Sequence, residues 1–465
     1  MPCHPRRRLE PPALTPEILE IIASCVTDSD TFHALVSALP PAFQAPSLQS
    51  WREIETTAAL HRVVAVEWPT ISLTTRILDD VTLDLIKATF PLRPYVDWDC
   101  GIVGRSQMEL IQQHFCAQLR SVYIHVNCSV LANDNGTYFR DLLLSCPQLA
   151  KLDLRYDNDE VNSTLVAPLL DVLAHPGLES FRLLLPTTDF PHEINASLAR
   201  QLSIFLRNGR ADTLVLENVA VDVDDEGTPD NGGGLGVDGE RDHLDVDGES
   251  PSHLGRALAN CTTLRHLRLH NVALMPTELW ASIPETLRDL SVYDNSGEVE
   301  VTEGLLHALR RSEDLKELKL SVLLSCRARH LADSLRHLSK LTSLHLAGTR
   351  FEISDDEPQG FMREADVGAI LEIAQVCPEL THLNLQDHEC DDLATIASAI
   401  LAAGATLRWL NLRQELPNLE RLMGALCAAS NQPFKVQFAR QVQFDTFSRL
   451  GLNAHKDTAN CVLLL

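Results

Sequence analysis

One short pattern, apolar-x-x-apolar-x-apolar, recurs ten times and limits what this chain can fold into. The copies are Leu119-Val122-Ile124, Leu149-Leu152-Leu154, Leu178-Phe181-Leu183, Ala211-Leu214-Leu216, Leu264-Leu267-Leu269, Leu287-Leu290-Val292, Leu315-Leu318-Leu320, Leu341-Leu344-Leu346, Leu380-Leu383-Leu385 and Leu407-Leu410-Leu412. Their first positions are 30, 29, 33, 53, 23, 28, 26, 39 and 27 residues apart. The apolar-x-apolar end of each copy has the period of a strand, with alternate side chains turned to one face. Between copies a second period emerges, as in Leu331, Leu335, Leu338 and Leu393, Ile396, Ile400, which is that of a helix with one apolar stripe. Parallel strands of one sheet need such crossovers, so each copy reads as one strand plus one helix, and stacking the copies builds a core that none buries alone.

Intervals of this length around Leu-x-x-Leu-x-Leu are those of a leucine-rich repeat. The expected fold class is therefore α/β: a leucine-rich-repeat solenoid, its curved parallel sheet inside and its helices outside, preceded by a small helical module. The divisions expected are a three-helix module over 12–56, a helical linker and degenerate first repeat over 57–118, the solenoid over 119–438, and a C-terminal cap and tail over 439–465. Residues 434–438 are expected to form a terminal strand. The 53-residue interval holds an insertion, 221–250, rich in Asp, Glu and Gly with Arg241 its only Lys or Arg. Such a composition buries too little apolar surface to offset its ordering entropy, so the insertion is expected to be disordered.

Charge narrows the partners. Lys and Arg number 39 against 64 Asp and Glu, a net charge of -25, which argues against nucleic acid or an anionic membrane. No run approaches the roughly 18 apolar residues of a membrane span, and MPCHPRRRLEPP lacks a signal-peptide core, so a cytoplasmic or nuclear location is expected. The twelve cysteines are scattered without a C-x-x-C pair. Cys146, Cys261 and Cys377 share one repeat position and read as small buried apolar residues. No catalytic motif with a constrained spacing is present, and the calcium-like fragments at 232–239 and 245–248 lack the tandem copies or flanking helices such sites require. The expectation is a non-enzymatic protein without cofactor or metal.

Target binding is expected on the sheet face that the leucines leave open. Over ten copies its thirty positions hold six Lys or Arg, four acids and five His, locally basic in an acidic chain. The candidates are Arg155, Arg182, His266, Arg268, His270 and Lys319, with Tyr293 and Trp409 as aromatic anchors. They suit an acidic or phosphorylated protein segment, since Arg and Lys make charge-assisted bonds to carboxylate and phosphate. His266 and His270 flank Arg268 and are expected to add charge in mild acid.

Residues 14–56 read as three short helices. Thr15, Pro16 and Glu17 supply an N-cap, an N1 proline and an acidic first turn ahead of Ile18, Leu19, Ile22 and Val26, with Leu14 stapled onto Leu19. Phe32, Leu35, Val36 and Leu39 form a second stripe. Leu48, Trp51 and Ile54 begin a third, whose helical pattern continues through Leu60 to Val66. Helical stretches at 83–90 and 108–115 then flank 95–100, a degenerate strand.

The opening LeuThrProGluIleLeuGluIleIleAlaSerCysVal (14–26), an AspSerAsp turn and PheHisAlaLeuVal (32–36) resemble an F-box. With Cys-Pro-x-Leu-x-x-Leu-x-Leu at 146–154 and 377–385, the chain resembles leucine-rich-repeat F-box proteins with ribonuclease-inhibitor-like repeats of the fungal type. That resemblance implies a substrate receptor: the F-box docks on a Skp-type adaptor of a cullin-RING ubiquitin ligase while the solenoid selects the target. It also implies an adaptor contact through Leu14, Pro16, Ile18, Leu19, Ile22 and Phe32. The rival expectation is a leucine-rich-repeat interaction scaffold whose N-terminal helices merely cap the stack, as any terminal repeat requires.

Overall fold

The computed structural model describes residues 15–40, 44–57, 59–126, 135–156, 168–186, 192–194, 197–221, 253–272, 280–293, 300–301, 303–324, 328–351, 370, 373, 377–385, 409–412, 435–438, 454–456 and 461–464. The chain divides into two compact units, Met1–Asp157 and Asn158–Leu465.

The first unit opens with three helices, α1 (Pro16–Cys25), α2 (Ser29–Ala38) and α3 (Pro46–Thr56). Pro16 sits at the start of α1, where its missing N–H costs nothing. Thr15 occupies the N-cap without accepting a backbone bond; its hydroxyl instead donates to Glu17, holding that carboxyl below its usual range. Asp28 caps α2 by accepting from the Thr31 N–H at 2.7 Å. Leu19, Ala23, Phe32, Val36, Leu48, Trp51 and Ile54 point inward and are buried. Their centre is aromatic: Phe32 lies flat on Trp68 at 3.8 Å with an interplanar angle of 1°, and Trp51 meets both rings edge-on at 5.6 and 5.0 Å. The Trp68 indole N–H donates to the Val26 carbonyl at 2.7 Å, so the three helices close over a side chain that follows them in sequence.

After α3 the helical pattern does not continue through Leu60 to Val66. A single 3-10 turn, Leu60–Arg62, leads into β1 (Val64–Glu67), which pairs antiparallel with β2 (Thr70–Leu73). Val63, Val64 and Val66 are β-branched and stiff at χ1, and pairing with Thr70–Leu73 uses that stiffness where a helix would resist it. Helix α4 (Asp80–Ala88), β3 (Tyr95–Ile102), α5 (Arg105–Leu110), β4 (Leu119–Val126) and β5 (Lys151–Tyr156) follow. Strands β2 to β5 run parallel in sequence order, and β3 is the degenerate strand expected near Tyr95. Its register shifts against β4 between Trp98 and Ile102, where Gly101 has φ +72° and a Cβ would meet the His125 ring at 2.2 Å. Only glycine fits there.

The second unit is the leucine-rich-repeat solenoid proper. Strands β6 (Ser180–Leu184), β7 (His192–Ile194), β8 (Thr213–Glu217), β9 (Val219–Val221), β10 (His266–His270), β11 (Asp289–Tyr293), β12 (Glu300–Val301), β13 (Glu317–Ser321), β14 (Leu323–Leu324), β15 (Ser343–His345), β16 (Arg350–Phe351), β17 (His382–Asn384), β18 (Trp409–Leu412) and β19 (Lys435–Phe438) occur in that order. The main sheet is β6-β8-β10-β11-β13-β15-β17-β18-β19, all parallel and in register. Two short parallel ladders, β7-β9 and β12-β14-β16, form separate sheets. The chain then reverses: β20 (Ala454–Lys456) and β21 (Cys461–Leu464) pair with each other, and β21 pairs antiparallel with β19.

A strand falls within each of the ten motif copies, and in the first nine every apolar motif position is at most 4% exposed. The connecting helices turn Leu198, Leu202, Phe205 and Leu206, or Leu305, Ala308 and Leu309, or Leu331 and Leu335, inward onto the strands. Cys146, Cys261 and Cys377 are buried as expected, and burial pushes the Cys377 thiol up to about 11. Beyond Val221, the acidic insertion lies outside the described residues, as does Leu14. No helix among the described residues is long and apolar enough to cross a membrane.

Candidate functional site

In-register pairing turns the open face of the second unit into columns. From β6 to β17 the apolar residues of each motif point into the core, so the residue between them points the other way. That central column reads Arg182, Val215, Arg268, Ser291, Lys319, His345, Asn384, Asn411 and Gln437. It carries three cations and no acid. One flanking column reads Ser180, Thr213, His266, Asp289, Glu317, Ser343, His382, Trp409 and Lys435, and the other includes Leu184, Glu217, His270, Tyr293 and Ser321.

The acids sit in the flanking columns, and each has a partner. Asp289 meets the His266 ring at 2.5 Å, Glu217 approaches His270 at 3.5 Å, and Glu317 pairs with Lys319 at 2.7 Å. Arg268, half-buried at the centre, forms no ion pair or hydrogen bond among the described residues. Tyr293 stands beside His270, ring centroids 5.7 Å apart, and is 38% exposed. Trp409 lies further along, tilted against His345 and His382 at 6.2 and 5.9 Å.

Seven of the eight target-face candidates therefore share one sheet face of the second unit. Arg155 stands apart: it is exposed on β5 of the first unit, in register with His125. Among the described residues no group of three or more His, Cys, Asp and Glu side chains is placed to hold a metal ion.

The expected gain of charge in mild acid is corrected at His270. Burial, reinforced by Arg268 and Lys319, lowers its pKa from 6.5 to about 4, outweighing Glu217. The ring is thus neutral at pH 6. Because the folded value lies below the unfolded one, the unfolded chain takes the proton first. The stability this ring contributes is whole above pH 6.5 and drains away as pH falls toward 4. We expect an NMR titration of the His270 ring to show its midpoint well below that of a free imidazole; a midpoint at or above 6 would contradict the burial that the sheet imposes. His345 shifts the same way, again from burial first and Lys319 next.

The helical module distributes its candidates differently. Leu19 and Phe32 are 3% and 0% exposed, so they hold the module together and are closed to a partner. Ile18, Ile21 and Ile22 are 44%, 64% and 41% exposed, and Cys25 is exposed one turn on. Pro16 is half-buried at the head of the same helix. The open stripe on α1 is thus Ile18, Ile21, Ile22 and Cys25, spaced as one helix face.

Two asparagines hold positions that the apolar spacing does not signal. Asn218 and Asn271 have φ of 59° and 48°, the left-handed region that asparagine tolerates better than most residues. The Asn218 side chain donates to the Leu185 carbonyl at 2.8 Å, and Asn271 donates to the Asn218 side-chain oxygen at 2.8 Å, linking successive turns. Their sequence signal is Leu-x-Asn-Val in both repeats.

No family model matches the sequence, and no curated protein matches it. Among solved structures the chain is similar to one in the complex of Rad7 and Elc1 from yeast, with a TM-score of 0.45 and 14% identity over 85% of this chain and 88% of that one. It is also similar to a chain of the TLR13–ssRNA13 complex, with a TM-score of 0.18 and 11% identity over 64% of this chain and 55% of that one. Matches at this level assign neither partner nor activity.

Proposed function

We propose that the protein is a non-enzymatic substrate receptor of a Skp-cullin-F-box type ubiquitin ligase, its first helices held by a Skp-type adaptor and its target held on the open face of the sheet. The observation that carries this reading is the face of α1. A ten-residue helix that already buries Leu19 and Ala23 still offers Ile18, Ile21 and Ile22 to solvent. Contiguous exposed isoleucines on a helix of a soluble chain mark a surface built to be covered. The resemblance of residues 14–36 to an F-box supplies the partner's kind.

A pull-down with purified Skp-type adaptor tests it. Ile18→Asp with Ile22→Asp is expected to abolish capture while leaving the melting temperature unchanged; Leu19→Asp would be a poor choice, since it buries an unpaired charge. Failure of the wild-type protein to bind adaptor, or full binding by the double variant, would remove the ligase reading. One observation favours the second reading, an interaction scaffold with a helical cap: the module's core is completed by Trp68 from outside the module, as a cap's would be.

A further inference from the structure

We propose that the central column from Arg182 to Lys319 binds an extended acidic peptide segment in the polyproline II conformation, running across the strands with a carboxylate at every third residue. This deepens the reading of the open face as the target surface and rests on it.

The spacing of the cations carries the inference. Arg182, Arg268 and Lys319 stand on β6, β10 and β13, with β8 and β11 between them, so each cation is two strands from the next. Neighbouring strands are about 4.8 Å apart, which puts about 9.6 Å between successive cations along the row. A polyproline II segment has three residues per turn and rises about 3.1 Å per residue, so its side chains return to one side every ~9.3 Å. A β-strand ligand returns every ~6.7 Å and falls out of step by the second cation.

The flanking columns set the width. Glu217, Asp289 and Glu317 border the row on both sides, so a broad acidic surface would meet them as well as the cations. A single extended chain along the row meets Arg182, Arg268 and Lys319, and passes the uncharged Val215 and Ser291 between them. Arg268, the middle contact, is committed to no acid of its own among the described residues. His270 is held neutral by its burial first and by Arg268 and Lys319 next.

The test uses the full-length protein without adaptor, so a failed ligase reading leaves it intact. Fluorescence anisotropy at low salt would compare a labelled peptide of tandem Glu-Pro-Ser repeats with an isomer of identical composition whose glutamates are contiguous. The repeat peptide is expected to bind about fivefold tighter, a preference suited to a few half-exposed charge pairs. Arg268→Glu should erase that preference, and Arg268→Gln does the same service if the acidic variant fails to fold. Equal binding of the two isomers, a preference that survives loss of Arg268, or no binding of either peptide would overturn the proposal.

Discussion

Replacing Phe32 by alanine is expected to destabilise the first unit by about 3 to 5 kcal/mol, the cost of emptying a fully buried aromatic site. Phe32 is 0% exposed, stacked on Trp68 and met edge-on by Trp51. Removing it strips a partner from both indoles at once, so contact energy beyond the transferred area is lost too. Urea unfolding followed by tryptophan emission would report the change, because Trp51 and Trp68 are themselves the contacts. Phe32→Leu should recover more than half of the loss. A Phe32→Ala protein as stable as wild type but unable to bind an adaptor would instead return Phe32 to the contact surface that the F-box resemblance implied for it.

The second large effect belongs to the sheet. Leu267→Ala should cost the second unit about 2 to 5 kcal/mol. Leu267 is 2% exposed and lies in register between Leu214 and Leu290, so the cavity opens toward neighbours on both sides. In a repeat array each unit is stabilised by the adjoining ones, and damage at one layer weakens the interfaces it shares before it reaches the ends. Amide hydrogen exchange should therefore show faster opening at β8, β10 and β11 than at β15. Uniform acceleration along the whole unit would mean that it unfolds as one block.

The contrast between these residues shows what the sequence makes legible. Leu267 is readable because its spacing repeats: ten copies of one pattern fix the strands, their inward side chains and, through them, the register that aligns Arg182, Arg268 and Lys319. Helix α1 is harder, for it carries isoleucine or leucine at 18, 19, 21 and 22, and a helix apolar on most of its circumference does not say which stripe faces inward. Tertiary packing buries Leu19 and Ala23, and the 3-10 turn Phe90–Leu92 that α1 meets lies far from it in sequence. The same limit explains residues 60–66, where apolar spacing suited a helix while pairing with a strand not yet seen made β1. His270 is legible as a face residue, but its burial beside two cations, and hence its neutrality in mild acid, exists only once three strands are assembled.

The antiparallel strands β1 and β2, and β20 and β21, bear on self-assembly. A solenoid of parallel strands presents, at each exposed edge, the same donor and acceptor pattern that its own next repeat would use, so a second molecule could add there and a third after it, as in a filament. In this chain the strands of the first unit start with the antiparallel pair β1 and β2, and those of the second finish with β21 and β20 reversed against β19. Each reversal breaks the polarity of the repeat, and the outermost strands are only four and three residues long. A copy arriving in the orientation of a next repeat meets a short strand of changed polarity rather than another repeat. Short, reversed outer strands of this kind disfavour repeat-on-repeat extension of the sheet by a second copy.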